Sequence, residues 1–226
     1  MTSRLLWLPI SLYLSLIIPI MYWDLDWQLA NYWFQLQDQQ WLFRHDWVTQ
    51  TLLHDAGHDL ALTIYIAILA LYLSSFSEKV LWHQFKSTLA YLSLSLPVAT
   101  LSVSLIKRLS FVDCPWSMND FGGQQHYLAW WQTLIGAQTG VGHCFPAAHA
   151  SSAYMFFGVY FVARQHWPDR ASWILAIVLG FGLMFGLAQQ LRGAHFISHD
   201  LTTAIICWLI SLMLWQLWKK NIRIYY

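Results

Sequence analysis

Six stretches of the chain run without a charged residue for about the length of a membrane span. They cover residues 5–23, 60–77, 89–106, a long run over 121–163, 171–191 and 201–218. A helix that crosses the hydrocarbon of a bilayer needs about 20 mostly apolar residues, and five of these runs fit one helix each. The long run is polar and rich in Gly and Pro up to Pro146. Its span is therefore expected at 147–163, with Pro146 in the first turn, where a missing N–H costs nothing. Pro97 falls inside the third span and is expected to kink it, which a packed membrane bundle tolerates. The pattern predicts an all-α, polytopic membrane protein, a six-transmembrane-helix bundle forming a single membrane domain over residues 1–226. The first run begins with Arg4, as a signal peptide would, but it is long and no small-x-small cleavage site follows Pro19. A retained anchor helix is the expectation.

Composition supports lipid as the main solvent. The chain is 58% hydrophobic and 10% charged, against roughly 25% charged in an ordinary soluble domain. Fifteen Trp and eleven Tyr suit the two membrane–water boundaries. A net charge of +1 offers no basic patch for nucleic acid. With six spans, one side of the membrane carries Arg4, Lys79, Lys86, Arg164, Arg170, Lys219, Lys220 and Arg223. The other carries only Arg44, Lys107, Arg108 and Arg192, together with Asp24, Asp26, Asp38, Asp46, Asp55, Asp59, Asp113, Asp120 and Asp200. The Lys/Arg bias puts both termini in the cytoplasm. Two long segments remain on the far side. Residues 24–59, rich in Trp and Gln, read as an amphipathic helix along the interface. Residues 107–144 form a connection long enough to expect a function.

The cations that break the charge bias, Lys107, Arg108 and Arg192, sit beside histidines in three far-side segments, 107–116, 142–151 and 189–200. Lys and Arg supply fixed charge and forked donors that suit phosphate. The fourth span starts at the second segment, so its free N–H groups, that of Ala148 among them, face a bound anion. His149 and His195 come from different helix ends; one can attack phosphorus while the other protonates the leaving oxygen. Asp200 is close enough in sequence to hold the His195 ring. Phosphoryl transfer asks for little beyond positioning and charge stabilisation. No paired carboxylates or cysteines suggest a bound divalent metal, so metal-independent chemistry without a cofactor is expected.

These segments resemble the type 2 phosphatidic acid phosphatase superfamily, integral-membrane lipid phosphatases related to vanadium haloperoxidases. That pattern is Lys, six residues, Arg-Pro; then Pro-Ser-Gly-His; then Ser-Arg, five residues, His, three residues, Asp. Lys107 and Pro115, then Pro146 and His149, then His195 follow it in order, and the resemblance covers roughly residues 60–218. The chain departs at several places. Cys114 stands where Arg is expected, and Arg108 is the nearest replacement. Ala147 and Ala148 replace Ser-Gly. Gln189 stands at the second Arg position, with Arg192 one helical turn later. His199 occupies the carboxylate position, with Asp200 one residue beyond, so either Asp200 through a bulge or His199 orients His195. The resemblance implies that Lys107, Arg192 and Arg108 clamp a phosphate, His195 forms a phosphohistidine, His149 protonates the leaving group, and water completes the cycle. Ser151 is a further candidate in the second segment.

Several residues have plainer readings. A lone interfacial histidine ordinarily faces water, which suits His126 and His143. Lys107 and Arg192 can also serve as snorkelling helix ends. His54 and His58, four apart, could face one metal, but no third ligand is evident. Cys207 lies in an apolar run and reads as packing. Cys114 and Cys144 both lie on the far side, where disulfides persist, each next to a motif; a bond between them would tie the first loop to the fourth span, and two free thiols are the alternative. The leading function is a lipid phosphate or diphosphate phosphatase at the periplasmic face of a bacterial inner membrane. Undecaprenyl diphosphate, phosphatidylglycerol phosphate and lipid A phosphates fit. A lipid-to-lipid phosphotransferase, or a non-catalytic lipid-binding or transport protein, are the competing readings.

Overall fold

In the computed structural model, residues 2–136 and 140–221 are described. Arg223 and residues 137–139 of the long run lie outside them. The helices are α1 (Thr2–Tyr22), α2 (Leu25–Leu36), a π-helix (Trp47–Ala56), α3 (Gly57–Ser74), α4 (Lys86–Leu109), α5 (Trp130–Leu134), α6 (Ala148–Tyr154), α7 (Phe157–His166), α8 (Pro168–Leu191) and α9 (Ile197–Trp218). No strand occurs among the described residues.

Five helical stretches are long and apolar enough to cross a membrane: Ser3–Tyr22, Leu42–Ser74, Leu81–Leu109, Pro168–Leu191 and Ile197–Trp218. They expose large side chains that water would not tolerate as a continuous surface, among them Leu8, Leu12, Ile18, Leu60, Ile64, Leu101, Leu105, Ile177 and Leu183. Such a belt marks a lipid contact. Where the sequence leads one to expect a continuous helix over 147–163, the chain instead forms two short ones, α6 and α7, meeting at Met155 and Phe156. Most residues of both are buried against α4, α8 and α9. A break in the helical ladder is tolerable at that depth because protein, not lipid, surrounds it.

The core lies where α4, α7, α8 and α9 meet. Trp208 packs its ring against Phe161, Phe157 and Tyr160 at 5.0–5.4 Å between centroids. Tyr91 packs on Trp215 and donates its hydroxyl to the Ser211 carbonyl at 3.0 Å. α1 closes the outside of α9: the Trp208 indole donates to the Leu5 carbonyl, and Tyr13 meets Thr202. A second, smaller cluster of Ala30, Phe34, Met118, Phe121 and Phe196 lies apart from this core. Its members come from α2, the loop after α4, and the connection between α8 and α9. Segment 24–59, expected along the interface, thus packs α2 and Trp41 onto the α8–α9 corner.

Candidate active site

The α8–α9 corner is shaped by two close backbone approaches. Gly193 has φ +67°, a conformation that L side chains rarely adopt, and an added Cβ would lie within 2.5 Å of the Trp41 ring; only glycine turns the chain here. Its carbonyl accepts the Trp116 N–H at 2.9 Å, which ties the corner to the first motif loop. At Gly186 an added Cβ would meet the Asp200 carboxylate at 2.7 Å. α9 begins without a side-chain cap of its own. Asp26 of α2 supplies one from a distance, accepting from both the backbone N–H and the hydroxyl of Ser198. This satisfies donors that a helix start leaves open.

His195 lies on this corner and is buried, and its Nδ1 faces Nδ1 of His199 at 3.4 Å. The rings cross at 64°. One of the two nitrogens must carry the proton and the other accept it. Burial, foremost, then the nearby Lys107, His199 and His149 push the His195 pKa well below its ordinary value, while a hydrogen bond with the Cys144 backbone pulls the other way. The resting imidazole is therefore neutral. Asp200 turns elsewhere. Its Oδ2 accepts from the Gln190 amide at 2.8 Å. The residue beside His195 is His199, at the position where the pattern the chain resembles has a carboxylate.

His149, in the first turn of α6, is buried and brings Nε2 to 3.1 Å from the Leu53 carbonyl. A carbonyl only accepts, so this nitrogen carries the proton. The ring stacks on His54 at 4.5 Å and touches Phe185 at 4.9 Å. His54 and His58, whose spacing suggests metal ligands, each pair instead with the following carboxylate, at 2.8 and 3.6 Å. Ser151 donates its hydroxyl back to the Ala148 carbonyl at 2.6 Å, which directs it into its own helix. His126 and His143 are exposed on loops.

Of the three cations, Arg192 is buried, and each of its three nitrogens makes one hydrogen bond to the protein. Its Nε donates to the Arg44 carbonyl at 3.2 Å, one terminal nitrogen to Gln189 Oε1 at 3.2 Å, and the other to Gln50 Oε1. Lys107, in the last turn of α4, is half-buried, and Arg108 beside it is exposed. Cys114 and Cys144 are joined by a disulfide, with Cα atoms 5.3 Å apart. The joint is reinforced by Cys144 N–H donating to the Val112 carbonyl at 2.8 Å, and by buried Asp113 accepting from the N–H groups of Val141 and Gly142.

Sequence reasoning treats residues 24–59 as topology only and so misses Asp26, Gln50 and the Leu53 carbonyl. Asp26 and Gln50 reach partners 172 and 142 residues away, and no local period encodes that. The available signal was a carboxylate and several amides in a segment otherwise rich in aromatic rings.

Two apolar grooves flank α8. One, of about 460 Å³, lies between α3, α6, α7 and α8, lined by Gly57, Ile64, Phe156, Ile177 and Phe185 among others. The other, of about 430 Å³, lies against α1 and ends at Arg4 and Arg164. Only the first reaches Phe185, and through it His149.

Compared with known proteins, residues 88–223 match a family model described as the PAP2 superfamily. No curated protein and no solved structure matches the chain.

Proposed function

This chain belongs to the type 2 phosphatidic acid phosphatase (PAP2) superfamily, and we propose that it hydrolyses a lipid phosphate or diphosphate without a metal, through a phosphohistidine. Membership brings phosphatase or phosphotransferase chemistry on lipid-like substrates. The observation that carries the finer reading is the convergence of Lys107, His149 and His199 on the neutral His195.

In this reading His195 donates its Nδ1 proton to Nδ1 of His199, which leaves the Nε2 lone pair as the nucleophile. Nε2 attacks phosphorus and the bond to the leaving oxygen breaks. His149, protonated on both ring nitrogens once the anionic phosphate is bound, passes its Nε2 proton to that oxygen, is left a neutral imidazole, and takes a proton back from the water of the second step; the Leu53 carbonyl stands as its acceptor until substrate arrives. Lys107 and Arg192 hold the phosphoryl oxygens, with Arg108 and the Ala148 N–H at the margin. Water then attacks the phosphohistidine, giving inorganic phosphate and free His195. His199 takes the orienting role, and Asp200 locks α9 to α8 through Gln190. The hydrocarbon chain of the lipid lies in the groove that reaches Phe185, the one of the two grooves that leads through it to His149. α6 and α7 together complete a sixth span of a single membrane domain. Both termini are then cytoplasmic, residues 24–59 form a periplasmic layer over the 60–218 core, and the site opens to the outer face of a bacterial inner membrane.

The test is phosphate release by purified protein from undecaprenyl diphosphate, phosphatidylglycerol phosphate and lipid A phosphates in mixed micelles. Wild type should release phosphate from at least one of them, and His195→Ala should fall by at least about 10³-fold. Equal release from both proteins would remove His195 as nucleophile. Silence on every substrate would remove the reading.

A further inference from the structure

Gln189 occupies the position where the superfamily pattern has an arginine, and the structure gives it two different ends. Its Oε1 accepts from the Arg192 guanidinium at 3.2 Å. That bond fixes which end of the amide is which, because a guanidinium has no acceptor to offer. The NH2 end is thereby left over. It is buried and finds no hydrogen-bond partner among the described residues. Leaving such a donor unmade in a protein interior is costly, so an orphan of this kind calls for a partner, a bound anion among the candidates. The His199 Nε2, in the ring beside His195, is a second buried orphan.

Arg192 is arranged to match. Each of its three nitrogens spends one N–H on the protein, through the Arg44 carbonyl, Gln189 and Gln50. A guanidinium has five N–H groups, so one remains on each terminal nitrogen, the pair that binds two oxygens of a phosphate at once. Gln50, from outside the family match, holds one of these terminal nitrogens, and Gln189 holds the other. Both holders are neutral amides. A carboxylate in either place would cancel the charge that the anion needs.

We propose that Gln189 is a phosphate-binding residue, its NH2 donating to a phosphate oxygen beside the Arg192 fork, and that Gln50 is the positioning residue that aims that fork. The site then uses one cation and one neutral donor where the superfamily pattern has an arginine. The inference rests on the lipid phosphatase reading of the same site.

The experiment uses full-length protein in detergent and inorganic phosphate as a competitive inhibitor, with each variant's thermal midpoint as a check on folding. Glu at position 189 keeps the acceptor for Arg192, loses the NH2 donor and adds a negative charge, so Gln189→Glu should weaken phosphate inhibition and raise KM by about tenfold or more, the worth of a hydrogen bond to a charged group, and by more than the uncharged Gln189→Met. Gln189→Met, which removes both ends, should act in the same direction. Gln50→Leu, on the half-exposed side, should weaken inhibition less and leave the midpoint near wild type. Gln189→Arg should restore or tighten inhibition. Phosphate inhibition within twofold of wild type in both Gln189→Glu and Gln189→Met overturns the inference while leaving the phosphatase reading intact. If either variant does not fold, Gln50→Leu decides, and an unchanged inhibition constant there overturns it. A wild-type protein that neither hydrolyses nor is inhibited by phosphate overturns both.

Discussion

The two halves of α9 are one helix built for two solvents. The first two turns bury Ser198, His199, Asp200, Thr202 and Thr203; the later turns bury Cys207, Trp208, Leu212 and Trp215, with Ser211 as their one buried polar side chain. In the first half each polar group is held by a different part of the chain. Ser198 is held by Asp26 of α2, His199 faces His195, Asp200 takes Gln190 of α8, and Thr203 donates to the Ala147 carbonyl before α6. In the second half the neighbours are rings and aliphatic chains, and one indole does most of the contact. The polar half depends on directions and fails when one partner is lost. The apolar half depends on volume and tolerates repacking.

That contrast sets the order of expected effects. His199→Phe keeps the ring volume but removes the nitrogen facing His195. It should cut turnover by about 10³–10⁴-fold, as losing an orienting partner of a catalytic histidine does, with little change in thermal midpoint. Asp200→Asn should lose less than about tenfold, because an amide oxygen still accepts from Gln190; if Asp200→Asn is the more damaging of the two, Asp200 rather than His199 orients the nucleophile. In the apolar half, Trp208→Ala should leave a cavity among Phe157, Phe161 and Tyr160 and destabilise by about 3–5 kcal/mol, read as a lowered denaturation midpoint in detergent with near-normal turnover per folded molecule.

Two smaller effects concern protons. Because His195 is held neutral, well below its ordinary titration range, the acid limb of kcat/KM should lie below about pH 6.5. A limb centred on the ordinary histidine value would contradict the buried placement. Asp26 is pushed up to about 6, chiefly by burial, against the two bonds from Ser198 that lower it. A carboxyl raised in the folded state contributes stability that is full below its unfolded value near 3.9 and is lost as pH rises through about 6. The midpoint of wild type relative to Asp26→Asn should therefore decline between pH 4 and 6.5. A difference that does not vary with pH would place Asp26 in contact with water.

Much of the fold was legible in the order of residues. Charge-free runs mark five helices long and apolar enough to cross a membrane, because lipid excludes charge along a whole segment, and that signal is local. The break between α6 and α7 was not legible, since an apolar run does not record whether its neighbours are lipid or protein. At the candidate site, the motif pattern singles out His149 and His195, and the fold buries both. The choice between Asp200 and His199 was not legible there, because one residue of helical rotation separates a side chain facing His195 from one facing Gln190. Gln189 read as a missing arginine; its value appears only when Arg192 and Gln50 are placed around it.

The bridge between Cys114 and Cys144 has a consequence for biogenesis. It joins residues 30 apart in sequence and fastens the loop after Lys107 to the segment that leads into His149. Thiols stay reduced in an ordinary cytosol and oxidise outside it. In the proposed orientation, with this loop on the outer face, the bridge closes only after the loop has crossed the membrane, so its oxidation reports that the loop has arrived.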